Sequence, residues 1–404
     1  MNKMQERIAT VRKAVNFEKT DRIPTHSNYW TYMMLDAGYT LKEAIYDYDK
    51  LIDAIIGFHK KYNFDFYNYT GMRNPFRVTD LIDGNKYYFD ESGEYLNHQD
   101  YHVMEENEYP ELIENPTKFL WEKAVARKCP GLNYEDAKER FVKSVAEYEE
   151  YTTKLSSINK RLIEEYSVPK VDLFVIPYDT MFNYLRGLKD MSIDMRRRPK
   201  EVMEAHRVLA EAWGTQSAID AILGKKEEGK AVFRGDTVRG GDQGIYVGSE
   251  ESTIFGISQV YLGHSMLTTK QWSEIYWPYT KQMIDNCAAI GKPFHLFSEA
   301  DIMRFSDFFS EAPKGVVMLQ PETDDVFELR KKLSNCAICG GMTPEYLGKM
   351  SKEQCLDHAK KLVEELGCDG GFVMGQNKMM SYKSDAKAEN ILAVQEFCAN
   401  YSNK

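Results

Sequence analysis

A chain of 404 residues suits one large domain or two ordinary ones, and 43% apolar with 28% charged residues is the make-up of a well-cored globular protein. Its net charge of −10, with no basic block larger than Arg196-Arg197-Arg198, argues against nucleic-acid binding, because neutralising phosphates needs a basic face. The N-terminal Met1-Asn2-Lys3-Met4-Gln5-Glu6-Arg7 lacks a signal peptide's apolar core, no apolar run has the length of a membrane span, and the cysteine count is odd; a cytoplasmic protein with no membrane partner and no disulfide framework is expected.

Short apolar runs alternate with long helical patterns, as in βα units around a parallel sheet. The first predicted strand, with its loop, is Arg22–Tyr29, and the second is Phe64–Tyr69. From Arg77 to Met104 the pattern alternates in period two, with turn signals at Asp83-Gly84 and Ser92-Gly93, which predicts an inserted antiparallel hairpin. A mostly helical excursion over residues 108–167 precedes the strand Val171–Pro177, and helix is expected from there through Leu223. Gly256–Leu262 leads to a helix starting at Thr268, with Gln271 at capping-box spacing and Pro278 placed to kink or divide it.

Pro293–Phe297, Gly315–Leu319, Cys336–Cys339 and Gly371–Met374 are short strands of the buried kind. Ser351 and Gln354 make a second capping box, followed by an apolar face of Leu356, Ala359, Val363 and Leu366 and a stop at Gly367. Cys336 and Cys339 invite a metal reading, but residues three apart on a strand point to opposite faces and could not share an ion, so buried small residues are expected, with Cys339 alone near the barrel mouth. Asp236–Gly244 is glycine-rich without phosphate-loop spacing, and reads as a loop over the site that, with Arg73, Arg77 and Arg239, could meet a carboxylate or phenolate. The fold class expected is α/β, a single (β/α)8 TIM barrel over residues 1–404 with the antiparallel hairpin at about 77–104 and extra helices.

Glu6-Arg7 through Asp21-Arg22-Ile23-Pro24, Asp194 to Pro199, Gly340-Gly341-Met342-Thr343-Pro344, Gly370-Gly371-Phe372-Val373-Met374 and Glu389-Asn390-Ile391 stand in a familiar order and spacing. On these the chain resembles the uroporphyrinogen-decarboxylase superfamily, which includes the methyltransferases that serve corrinoid proteins. A porphyrinogen decarboxylase of that superfamily carries an arginine-rich first loop, since a polyanion needs guanidinium forks. Thr25–Met34 contains no arginine. Methanogen-type methyltransferases bind zinc through His-x-Cys and a late cysteine; here His295 is kept, Phe297 replaces the first cysteine, and Gln376 and Asn377 stand near the second. The ether-cleaving type uses Glu-x14-Glu-x20-His, and Gln259, Glu274 and His295 occupy those positions. The resemblance therefore implies zinc held by Gln259, Glu274 and His295, with Gln259 the departure.

Residues at the carboxyl ends of barrel strands face the active site. That rule and the resemblance together imply His295, Glu299 and Glu274 as catalytic groups, with Glu299 a replacement ligand or general acid. They imply Asn28, Tyr29, Tyr178, Asp179, Glu322, Cys339, Gln376 and Asn377 as substrate-binding. The reaction implied is transfer of a methyl group from a small methylated donor, an aryl methyl ether for example, to the Co(I) of a corrinoid protein, with zinc polarising the leaving oxygen. A decarboxylase or lyase acting on a small acid and a non-catalytic binding relative stay open as alternatives. The partners implied are the methylated substrate and the corrinoid protein, and a homodimer is compatible with the chain.

Overall fold

The computed structural model describes residues 2–68, 75–82, 84, 87–98, 103–129, 134–171, 173–215, 219 and 254–401. Ten strands are found among them: β1 (His26–Ser27), β2 (Phe66–Tyr67), β3 (Tyr87–Phe89), β4 (Leu96–His98), β5 (Leu173–Phe174), β6 (Ile257–Tyr261), β7 (Phe294–Ser298), β8 (Val317–Pro321), β9 (Ala337–Met342) and β10 (Phe372–Gln376). Strands β5 to β10 form one six-stranded parallel sheet in chain order, and β1 pairs in parallel with β2. Isolated parallel bridges join Thr25 to Met374 and Tyr67 to Lys170, linking β1 to β10 and β2 to the approach to β5. The architecture is α/β, and its parallel strands fall within or overlap those predicted.

β3 and β4 pair antiparallel, Tyr87 opposite His98. The expected hairpin began too early, however. Phe76–Leu81 is a helix with Phe76 and Val78 buried, so the start of the segment from Arg77 is helical and the antiparallel pair is confined to Tyr87–Phe89 and Leu96–His98. Pro278 divides its helix as expected, into Thr269–Ile275 and Trp277–Ala289. Thr268 with Gln271 and Ser351 with Gln354 both close as capping boxes. Of the apolar face predicted after Ser351, Ala359, Val363 and Leu366 are buried, joined by Cys355 and Leu362, and Leu356 is partly exposed. No helix among the described residues is long and apolar enough to cross a membrane.

The strands are buried on both faces, and period-two alternation sends their side chains into two cores. Phe294, Leu296, Val317, Leu319, Ile338 and Phe372 pack outward against the helices. Val260, Phe297, Met318, Ala337, Cys339 and Val373 pack inward, together with Met4, Ile8 and Val11 of the N-terminal helix Lys3–Val15. Cys336 belongs to the outer cluster and Cys339 to the inner one, which keeps the two thiols on opposite faces. The close approach of the N-terminal helix to β10 needs glycine. Gly370 and Gly371 both have positive φ, +78° and +75°, and a Cβ on Gly370 would stand 2.6 Å from the Phe17 carbonyl carbon.

Asp65 ties the first two strands to that helix. It accepts from both Arg22 Nη atoms at 2.7 Å and from the Thr25 amide at 2.8 Å, and lies 3.8 Å from Arg7 Nε. Arg7 in turn donates to the Phe64 carbonyl at 2.7 Å. Arg7 and Asp65 are buried, so removing the carboxylate strands a buried cation. Asp65→Ala is expected to cost about 3–5 kcal/mol, read as a lowered urea unfolding midpoint. A midpoint equal to the wild type's would show the cluster to be incidental.

Candidate functional site

His295 is the second residue of β7 and is fully buried on the inner face with Phe297. Its ring stacks on Phe255 with centroids 5.1 Å apart and meets His26 of β1 edge-on at 6.2 Å. Gln320, the register partner of Phe297 on β8, accepts from His295 Nε2 at 3.1 Å and donates from its own Nε2 to the Gln376 carbonyl at 3.0 Å. A carbonyl only accepts, so the Gln320 amide cannot turn over, and its oxygen must face the imidazole. His295 therefore carries its proton on Nε2 and leaves the Nδ1 lone pair bare.

The network extends across the strand ends. Gln376 Oε1 accepts from the Asn28 amide at 2.8 Å, Asn68 Nδ2 approaches Gln320 Oε1 at 3.5 Å, and Cys339 Sγ lies 3.5 Å from His26 Nδ1. Ser258 on β6 is the direct register neighbour of His295. Burial pushes the His295 imidazole down to about 4, against the opposing hydrogen bond to Gln320. Burial and then the neighbouring His295 push His26 down to about 3. The Cys339 thiol is pushed up by burial. Near neutral pH these groups are uncharged.

Several polar atoms here are buried with no partner: Asn28 Oδ1 and Nδ2, Ser258 Oγ and His295 Nδ1. Each such atom costs about 1–3 kcal/mol when nothing meets it. Their concentration beside shifted imidazoles makes this network the candidate site.

A second group braces the neighbouring strand ends. Asp179 accepts from the Gly263 and Leu262 amides at 2.8 and 3.2 Å and from the Tyr276 hydroxyl, fixing the turn after β6. Tyr178 is fully buried beside it, its ring 5.7 Å from Tyr276. His264 Nε2 lies 3.0 Å from Ser298 Oγ at the end of β7. Beyond β7 and β8, the amides of Glu299 and Glu322 continue the ladder to Tyr261 and Ser298, and both side chains are half-buried. Burial raises the Glu322 carboxyl, with Lys378 opposing. Asn377 accepts from the Gly341 amide and so holds the loop after β10 against β9.

The structure thus brings His295, Asn28, Cys339 and Gln376 into one network, and adds His26, Asn68, Ser258 and Gln320, which sequence reasoning did not single out. Gln320 lay one residue past the predicted end of its strand. His26 and Asn68 lay inside their predicted strands, and the alternation that placed Cys339 could have found them. Tyr29 is not among these groups. It is buried in an aromatic core, its ring 4.9 Å from Phe58 and 5.6 Å from Phe64. Arg73, Arg239 and Asp236–Gly244 lie outside the described residues.

Gln259, Glu274 and His295 do not come together as the zinc pattern requires. Gln259 is in register with Leu296, so its side chain leaves the opposite face of the sheet from His295, and its Oε1 accepts from Thr280 of the helix Trp277–Ala289 at 2.8 Å. Glu274 is exposed on the helix Thr269–Ile275. Among the described residues no group of three or more His, Cys, Asp or Glu could hold a metal ion. The residues present do not fit the implied zinc, and spacing along the chain could not reveal this because it does not set the register between Gln259 on one strand and His295 on the next.

The depressed His295 imidazole makes stability pH-dependent. The unfolded chain takes up its proton first as pH falls below 6.5, so the stability present above that pH is lost progressively down to about pH 4. In His295→Gln the fall in unfolding free energy from pH 7 to pH 5 should be smaller than in the wild type by about 2 kcal/mol. Equal losses in the two proteins would show that His295 is not held neutral.

Residues 257–401 match the family model for uroporphyrinogen decarboxylase (URO-D). No curated protein gives a significant match in sequence. In fold the chain is similar to a methyltransferase from Methanosarcina mazei, at a TM-score of 0.58 and 10% identity, over 97% of this chain and 98% of that one. The family match over that segment fits the uroporphyrinogen-decarboxylase superfamily that the sequence resembles, and the likeness to the methyltransferase is one of fold.

Proposed function

We propose that the chain is a corrinoid-dependent methyltransferase, taking a methyl group from a small donor bound in the His295 network and passing it to the Co(I) of a separate corrinoid protein. The observation that carries this reading is a buried, uncharged network of imidazoles and amides with unpartnered polar atoms, inside a fold shared over its length with a methyltransferase. The bridges Thr25–Met374 and Tyr67–Lys170 support a closed (β/α)8 barrel, in which the carboxyl ends of β6 to β10 form the mouth.

The corrinoid protein supplies the nucleophile. This chain holds the donor and gives the departing heteroatom a proton as its bond to the methyl carbon breaks, because an anion leaves poorly. Glu322 is the proton donor we assign: it stands just past β8, and burial keeps its carboxyl protonated to higher pH than usual. Glu299, just past β7, lines the same rim. No step runs through zinc. A decarboxylase reading draws on the URO-D match, but Thr25–Met34 offers no arginine for a polyanion.

With chemically reduced cobalamin and a panel of methyl ethers, methylamines and methyl thiols, the protein is expected to convert Co(I) to its methylated form, followed by absorbance. Glu322→Gln should lower kcat by about 10²–10⁴-fold with little change in KM, the usual worth of a general acid. Release of carbon dioxide from an acid without any corrinoid would replace this reading with the lyase one. Unchanged turnover in Glu322→Gln would move the proton donor elsewhere.

A further inference from the structure

Resting on that reading of the site, we infer that its ligand is an uncharged molecule that donates a hydrogen bond, from an O–H or N–H, to His295 Nδ1. The Gln320 amide, fixed by the Gln376 carbonyl, holds the His295 proton on Nε2, so Nδ1 can only accept. That nitrogen is buried and unpartnered in the structure. So is Oγ of Ser258, its direct register neighbour, which can both donate and accept. Asn28 adds an amide with both side-chain atoms unmet.

The rest of the network is equally specific about charge. His26, Asn28, Asn68, Ser258, His295, Gln320, Cys339 and Gln376 are buried, and none of these side chains is a carboxylate, ammonium or guanidinium. An ionic ligand would enter without a counter-charge and lose its hydration, which is far more costly than burying a neutral polar group that finds hydrogen bonds. A carboxylate or a quaternary ammonium is disfavoured for the same reason, and the pattern of donors and acceptors selects a hydroxyl-bearing or N–H-bearing neutral compound. Ser258 reads out that pattern: its hydroxyl has no protein partner to lose, so truncating it removes only what a ligand would meet.

Equilibrium dialysis of the full chain against an equimolar mixture of 2-methoxyphenol, 1,2-dimethoxybenzene, 4-methoxybenzoate and tetramethylammonium tests the inference, with mass spectrometry of what is retained. Retention of 2-methoxyphenol above the other three is expected, and Ser258→Ala should lower it about tenfold, the worth of one hydrogen bond, with an unchanged thermal midpoint. Preferential retention of either ion, equal retention of the dimethoxy compound, retention of nothing, or wild-type retention by Ser258→Ala would each overturn it. The two readings fail separately. Retained 2-methoxyphenol that never methylates reduced cobalamin would remove the methyltransferase and keep the neutral site, whereas methyl transfer from 4-methoxybenzoate in preference would do the reverse.

Discussion

The Gln320 side-chain amide is the bond on which the interior depends. Its nitrogen is committed to the Gln376 carbonyl at 3.0 Å and its oxygen to His295 Nε2 at 3.1 Å, so one planar group sets the tautomer of the imidazole and joins β7, β8 and β10. The same Gln376 residue accepts from the Asn28 amide, which brings the segment after β1 into register with them. Were the amide free to turn, its NH2 could donate to His295 Nε2 and move the imidazole proton to Nδ1, and the fixed acceptor would be lost. Held as it is, the network leaves His295 Nδ1, Ser258 Oγ and the Asn28 amide without protein partners.

Charge is distributed in layers around that network. The interior groups are neutral because burial keeps the imidazoles unprotonated and the Cys339 thiol protonated. The carboxyl groups lie outside it, at the rim: Glu299 and Glu322 just past β7 and β8, and Asp324 accepting from the Ile302 and Met303 amides. Under the proposed function, that separation would let Glu322 deliver a proton without a carboxylate lying against the donor beforehand. The Asp179 node, which anchors the turn after β6, keeps that part of the rim in place.

Much of the fold was legible in the chain. Alternating apolar runs located the parallel strands, the spacings Thr268 to Gln271 and Ser351 to Gln354 located two helix starts, and Pro278 located a helix division. The helix Phe76–Leu81 was misread because a short segment with two buried apolar residues fits either period. For the candidate network, the strand-end rule singled out His295, Gln376 and Asn28 but passed over Gln320, one residue beyond the predicted end of its strand. The zinc pattern failed for a different reason. Family spacing ranks positions along the chain, while the parity of Gln259 on β6 and the exposure of Glu274 decide where those side chains go. Tyr29 shows the same limit, since its large apolar ring was drawn into the aromatic core around Phe58.

The proposed site depends on His295 being neutral, protonated on Nε2 and bare on Nδ1. Long-range ¹H–¹⁵N correlation spectra of protein labelled at histidine, assigned with His295→Gln, measure this directly near neutral pH. The account predicts a protonated Nε2 and an unprotonated Nδ1 for His295. A proton on Nδ1, or an imidazolium at that pH, would contradict it.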